Sequence, residues 1–587
     1  MCGFLGFISN HKEFVPYDLE GATQALFKRG PDEFGSFQDS SKDFNIFLYH
    51  RRLSIIDLDS RSKQPYESEK FILLFNGEIY NYIEIRNELN LLGHKFSTES
   101  DTEVVLRSYE EWGEECFSKF DGMFSIVIYG KTNKSILLAR DFFGEKPLYY
   151  YLSDDVVVFG STLDSVSKIL SRSELDLDDE WLSLYLKLGF APSPLSPYAR
   201  IKKILPGQIL KVSLIDKSIE SKSASFAGSD QISRGNGLFD FKEFLEIMKI
   251  SLSRRLRSDV PVGLLLSGGI DSSFIACLLK VADSNICAVT IADSFDDDAE
   301  LINSIKITKI LGLDHKVFKL SQSTLLDGID ASISSMDEPI GDPAYPVLLS
   351  LISQTPKEFK VLISGDGSDE LFLSYLDYKK LLYKNNEILG FLANIAFSTL
   401  RHVLPYAGLN IFRRVALRLL AYSNIKGDSK FIHYLKLKGL NLNEIKILLR
   451  NNAGSLVKRL QDYSISFQLP EYLLLKSDRA SMFNSREIRS PFLSKDLLSY
   501  ISSCSEVSVE YGLKKWLQEY LNEKFPNLEF RKKGMFASGQ DMIDIPDVLG
   551  IKMQKILEKL EVPNYIRRAP LFKYRAYILN KWIEKQC

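Results

Sequence analysis

The chain has 587 residues, 45% of them hydrophobic and 26% charged, the make-up of a globular protein too long for a single core. Lys and Arg (74) nearly balance Asp and Glu (76), a net charge of −2, so no basic excess points to nucleic acid. Six scattered cysteines without a Cys-x-x-Cys pair, and only six histidines, argue against a disulfide framework or structural zinc and for a reducing, cytoplasmic setting.

The chain opens MCGFLGF, with Cys2 directly behind the initiator Met. If Met1 is removed, one residue carries both a thiol nucleophile and a free α-amine able to act as a base near neutral pH. No basic region followed by a long apolar stretch marks a secretory signal. Up to about residue 200 the pattern is mainly strands and hairpins. The runs at 71–82, 123–141 and 147–161 are rich in β-branched and aromatic residues, with polar turns at Lys131–Lys134 and Ser153–Asp155. Two helical patterns interrupt them, YIEIRNELNLLG (82–93) and DTEVVLRSYEEWG (101–113), each ending at a Gly. Residues 216–238 are polar, Ser/Gly-rich and without period, and read as a linker or long surface loop.

From about 240 the pattern changes. Buried-strand signals at 260–266, 286–292, 315–320 and 359–365 alternate with helical ones, which predicts a parallel, doubly wound α/β sheet. Ligands bind such sheets at the carboxyl ends of the strands. Both SGGIDSS (267–273) and SGDGSDE (364–370) fall there. In the first, Gly268 and Gly269 let the backbone approach an anion, the helix N-terminus adds its positive dipole end, and Ser267, Ser272 and Ser273 add hydroxyls. Asp271 fits an anion site only if Mg²⁺ bridges it to phosphates. No Walker A pattern is present. Further on, the apolar run 388–400 is too short to span a bilayer. A packed helix is expected over 388–422, with contact to a membrane surface as the alternative.

SGGIDSS behind a buried strand resembles the pyrophosphate loop of the ATP-pyrophosphatase superfamily. Together with Cys2, the chain as far as about Phe536 resembles the glutamine-dependent asparagine synthetases of the class II amidotransferase type. The resemblance implies an N-terminal αββα nucleophile sandwich (1–215), a linker (216–238), and a doubly wound parallel α/β synthetase domain with extra helices (239–587). It implies that Cys2 attacks glutamine. RGPD (29–32) matches a family signature, preceded by Lys28 where the family usually has His. In RRLSIID (51–57), Arg52 with Leu53, Ser54, Ile55 and Ile56 would hold the glutamine carboxylate. In NGEIYN (76–81), Asn76 and the Gly77 N–H would stabilise the oxyanion, and Glu78 with Asp101 would bind the substrate α-amine.

For the second half, the resemblance implies an ATP site formed by Ser267, Gly268, Gly269, Asp271, Ser272, Ser273, Ser364 and Gly365. Leu265 and Ile291 would line the adenine pocket, with core packing as their alternative role. Asp271 and Asp369 would bind Mg²⁺, Asp366 would assist adenylate formation or amination, and Lys533 in FRKKGMF would be the catalytic lysine. DRASMFNSREIRSPFL (478–493) matches a family stretch in which Glu487 and Arg489 form an ion pair or touch the intermediate. MDEPIGDPAYPVLL (336–349) would lie near the activated carboxylate. The implied reaction consumes glutamine, aspartate and ATP and passes ammonia through an apolar channel. A homodimer is the family habit. Relatives of the same architecture amidate other carboxylates, sugar uronates among them, which is the alternative acceptor. A stand-alone hydrolase would leave the second-half motifs unexplained, and a non-catalytic homologue would have lost Cys2, Asp271 or Lys533.

Overall fold

A computed structural model describes the chain except for residues 1, 11–13, 41–43, 224–236, 283–285, 293–298, 320–321, 376–377, 379–430, 433, 437, 439, 450–455, 505–512, 527, 529–550, 561–569 and 587. The segment 388–422 and Lys533 therefore lie outside the described residues.

The β-branched runs of the first half form two antiparallel six-stranded sheets. In chain order the strands are β1 (Gly3–Ser9), β2 (Glu33–Ser40), β3 (Asn45–Arg52), β4 (Tyr66–Glu67), β5 (Phe71–Ile79), β6 (Gly122–Gly130), β7 (Ser135–Arg140), β8 (Tyr149–Leu152), β9 (Val156–Gly160), β10 (Ile201–Lys203), β11 (Gln208–Ser213) and β12 (Ile219–Ser223). One sheet runs β10-β8-β9-β1-β3-β2 and the other β12-β11-β7-β6-β5-β4. Their inner faces share a core of Phe4, Ile8, Leu48, Leu74, Val127, Leu138 and Phe159. Helices Tyr82–Leu91 and Asp101–Trp112 cover the outside of the second sheet through Ile85, Leu89, Val105 and Phe124. Helix Asp179–Leu188 covers the other through Trp181 and Tyr185. The result is the expected four-layer αββα sandwich. The hairpin turns fall as expected, between β6 and β7 and between β8 and β9.

One difference concerns the segment read as linker. Residues 219–223 add β12 to the edge of the second sheet, pairing with β11. All five are exposed, so this edge strand carries no apolar face that a sequence pattern could register.

In the second half, β13 (Val262–Leu265), β14 (Cys287–Ala292), β15 (His315–Lys319), β16 (Val361–Ile363) and β17 (Glu487–Arg489) form one parallel sheet. Its order is β15-β14-β13-β16-β17. Strand order reverses between β13 and β16, and that switch point is where a doubly wound sheet opens a crevice for a ligand. Helix Ile270–Val281 packs Phe274, Ile275 and Leu278 into the core beneath it. Near the end of the chain, helix Pro570–Gln586 lays Phe572, Leu579 and Trp582 against the core of the first half. Among the described residues no helix is long and apolar enough to cross a membrane, and the five described cysteines are free thiols.

Candidate active site

Cys2 leads into β1, a strand flanked by β3 and β9, and its side chain is buried. Its backbone nitrogen donates to Asn76 Oδ1 at 3.1 Å, and Asn76 Nδ2 donates to Ser125 Oγ at 3.2 Å. Asn76 thus holds the backbone nitrogen of Cys2. Burial pushes the Cys2 thiol above its ordinary pKa, opposed by the Leu53 N–H and the Arg52 guanidinium. Gly77 follows Asn76 on β5. A Cβ there would sit 2.0 Å from the Met123 carbonyl oxygen, so only glycine fits.

Arg52 lies at the end of β3 with its guanidinium wrapped by the loop it begins. It donates to the carbonyls of Ile56 (3.2 Å), Asp57 and Asp59 (3.1 Å), and pairs with Glu33 at 2.8 Å. Leu53, Ile55 and Ile56 are buried against Val361, the first residue of β16. Ser54 donates its N–H to Asp32 (2.8 Å), which also pairs with Lys360 (2.8 Å). The loop Arg52–Asp57 is therefore clamped onto the parallel sheet of the second half. Glu78 and Asp101 are both buried. Asp101 Oδ2 accepts from the Ile79 N–H at 3.0 Å. Burial raises its pKa to about 6, and burial together with Asp101 and Glu487 raises that of Glu78 well above the ordinary value.

The two second-half motifs meet at the switch point. Gly268 has φ +77°, and a Cβ there would strike the Glu300 carbonyl oxygen at 2.0 Å. The Ser267 N–H donates to Ser272 Oγ (3.2 Å), and the Gly269 N–H to Ser267 Oγ (3.2 Å). Ser273 is fully buried behind the loop. Ser368 donates to Asp271 Oδ1 at 2.7 Å, and a Cβ on Gly365 would lie 3.1 Å from that of Asp271. Asp271 Oδ2 and Asp369 Oδ1 converge on one cation, Lys514 Nζ, at 2.6 and 2.7 Å. Burial works against the lysine's charge, but the two carboxylates outweigh it and hold its pKa above the ordinary value. Ser364 and Ser477 both donate to Asp366 Oδ2, at 3.1 and 3.0 Å. Ile291 is 2% exposed in a cluster with Val289, Val347 and Leu351, against which Leu265 packs. Both therefore act here as packing residues as well as adenine-pocket candidates.

Arg29 of RGPD joins the two centres. Its Nε donates to the Cys2 carbonyl (3.0 Å), while its fork takes both oxygens of Asp478, at 2.7 and 3.0 Å. Beyond it lies a cavity of about 20 Å³ lined by Glu145, Lys146, Asp366, Ser477, Asp478 and Ile488, among others. That is room for a water-sized molecule. Leu474, Ile488 and Leu493 give its wall an apolar side next to these polar groups. Next to it, Lys203 bridges Glu338 and Glu471 at 2.8 Å each, and Arg479 pairs with Asp337 at 2.5 Å. Asp337 and Glu338 of the MDEP segment are thus tied into the contact between the halves, Glu338 also accepting from Tyr149 at 2.6 Å.

Residues 1–222 match a family model described as glutamine amidotransferase domain, and residues 243–532 one described as asparagine synthase. The chain is 32% identical over 535 residues to glutamine-hydrolysing asparagine synthetase 1 of Bacillus subtilis, covering 88% of this chain and 83% of that protein. The chain belongs to the glutamine-hydrolysing asparagine synthetase family. Asparagine synthetase 2 of the same organism is 28% identical over 582 residues, covering 92% of this chain and 72% of its own. Membership agrees with the motifs and with a sandwich joined to a parallel sheet.

Within that family frame, the structure adds residues the motifs did not single out. Arg29 was legible only as part of a signature, with nothing near it in sequence to announce Asp478. Lys514 stands in the mixed run LKKWLQEY, where nothing distinguishes it from a solvated lysine. Arg489 is fully buried and its Nε meets Glu487 Oε1 at 2.5 Å, so the ion-pair reading of these two residues holds.

Proposed function

We propose that the chain makes asparagine: Cys2 hydrolyses glutamine, and the released ammonia displaces AMP from a β-aspartyl-adenylate formed from aspartate and ATP. The observation that carries this reading is the bridge through Arg29, which ties the Cys2 carbonyl to Asp478 on the wall of a cavity that also faces Asp366. The division into residues 1–215, a linker at 216–238 and 239–587 follows the same reading. The curated relatives are named as asparagine synthetases, and no feature of the site favours a uronate acceptor.

In the first centre, Asn76 Oδ1 accepts from the Cys2 nitrogen, and once Met1 is removed an amine on the residue that carries the thiol would act as its base. The tetrahedral oxyanion would be met by the Gly77 N–H and the Asn76 amide, contacts of a kind worth about 3–4 kcal/mol of transition-state stabilisation. The α-carboxylate would take over donors of Arg52 now spent on Glu33, and the α-ammonium would lie between Glu78 and Asp101. In the second centre, Gly268, Gly269 and the N-terminus of helix Ile270–Val281 would cradle the phosphates, with Ser267, Ser272, Ser364 and Gly365 beside them and Ser273 behind. Leu265 and Ile291 would border the adenine. The convergence of Asp271 and Asp369 on one ammonium fits a cation at that point, and these two carboxylates would hold Mg²⁺, which would supply positive charge against the pyrophosphate. Asp366 faces the cavity from which ammonia would arrive, and Lys533 would reach the α-phosphate. A cytoplasmic location and a homodimer complete the reading.

The test supplies glutamine, ATP, Mg²⁺ and aspartate and measures glutamate, pyrophosphate and asparagine together. Equal yields of the three support the proposal. Glutamine hydrolysis with no aspartate-dependent pyrophosphate would rule out aspartate as the acceptor.

A further inference from the structure

At the glutamine site three buried carboxylates, Glu78, Asp101 and Glu487, face one buried guanidinium, that of Arg489. Arg489 belongs to the second half of the chain, on β17. Its Nη1 is fixed by the carbonyls of Arg255 (2.9 Å) and Arg257 (2.7 Å), and its Nε by Glu487. Its Nη2 makes no hydrogen bond and points at Glu78 Oε1 from 3.6 Å, while Glu78 Oε2 has no hydrogen-bond partner either. The guanidinium rests over the ring of Tyr80, 5.4 Å from its centroid. Burial of an orphaned acceptor and an orphaned donor side by side is costly, and such an arrangement is finished by the arrival of one more charge. Three carboxylates outnumber one guanidinium, so the cluster is short of positive charge, which an ammonium would supply.

We infer that Arg489 is a positioning residue for glutamine: it is the counter-ion into which Glu78 ionises when the substrate's α-ammonium binds between Glu78 and Asp101. The groups facing Glu78 are Asp101 and Glu487, which disfavour its charge, and Arg489, which favours it. Glu487 competes for the same guanidinium and so restrains glutamine binding. The backbone of β17 links this to the other half, because the Ser364 N–H of the nucleotide loop donates to the Arg489 carbonyl at 2.9 Å and the Ser490 hydroxyl to the Asp366 carbonyl at 2.5 Å. The strand that reaches into the glutamine site is the one that anchors the nucleotide loop.

The inference rests on Glu78 and Asp101 being the ammonium site, so Glu78→Gln is measured alongside. Glutaminase kinetics on Arg489→Gln should show KM for glutamine raised about ten-fold, the loss of one charge-assisted contact, with kcat and ammonia-dependent synthesis little changed. The double variant with Glu78→Gln should be no worse than Glu78→Gln alone. Glu487→Gln should lower KM, a gain that structural damage does not produce, and it decides the matter if Arg489 variants fail to fold. An unchanged or raised KM in Glu487→Gln, or additive effects in the double variant, overturns the inference. An unchanged KM in Glu78→Gln overturns the ammonium-site reading itself.

Discussion

Replacing Lys203 by Met tests the buried contact between the two halves. Lys203 is 2% exposed and is shared by Glu338 and Glu471, each 3% exposed. Burial alone would raise the Glu471 pKa, but Lys203 and Arg140 pull it down to about 2, against an ordinary 4.5. A depressed carboxylate gives stability that is present above its unfolded value and is lost as pH falls through the folded one. For Glu471 the whole difference, to which Arg140 and Ser193 also contribute, corresponds to about 3 kcal/mol at pH 7, falling by about 2 kcal/mol at pH 3. Breaking a buried pair by removing one partner typically costs about 3–5 kcal/mol, which agrees. Urea unfolding followed by the fluorescence of Trp181, fully buried with its indole N–H 3.3 Å from Glu338, should therefore show Lys203→Met destabilised by about 3 kcal/mol at pH 7 and by much less at pH 3. The variant should also release more glutamate than asparagine, because the halves no longer hold the cavity between them. A loss below about 1 kcal/mol, or one equal at both pH values, would refute the reasoning.

Cys2→Ala should abolish glutamine-dependent synthesis and retain synthesis from added ammonium; loss of both would remove Cys2 from the role given to it. Lys514→Met takes the ammonium from between Asp271 and Asp369, so Mn²⁺ followed by electron paramagnetic resonance should bind the variant without nucleotide and the parent chain only with ATP. Equal binding by both would show that Lys514 does not hold the metal position. Because Asp101 must be ionised to hold an ammonium and titrates near 6, KM for glutamine should rise as pH falls below about 6, and Asp101→Asn should have a high KM with no such limb.

What the sequence made legible has a physical pattern. SGGIDSS, SGDGSDE and NGEIYN are stretches in which a loop must approach a ligand, so their residue types sit side by side and can be read directly. Strands with an apolar face, such as β5 and β6, were equally plain. The polar edge strand β12 was not, since its residues are all exposed. The network between the halves was hidden for a different reason. Arg29 and Asp478 are separated by 449 positions, and Lys203 and Glu338 by 135, and nothing local to either end announces its partner. Glu471 is positioned by a wide, π-helical stretch, Ser464–Leu474, with Pro470 inside it, which propensity alone argues against.

The cavity between Asp478, the partner of Arg29, and Asp366 has one further consequence. At about 20 Å³ it has room for a single small molecule. On the reading given above, ammonia there is not a solute with a concentration but an occupant that is present or absent. Each glutamine cleaved would fill the compartment once, and a second cleavage before it empties would have nowhere to deposit its product. The two chemistries would then keep pace by exclusion, as carriages do on a single track, without either centre needing to sense the other.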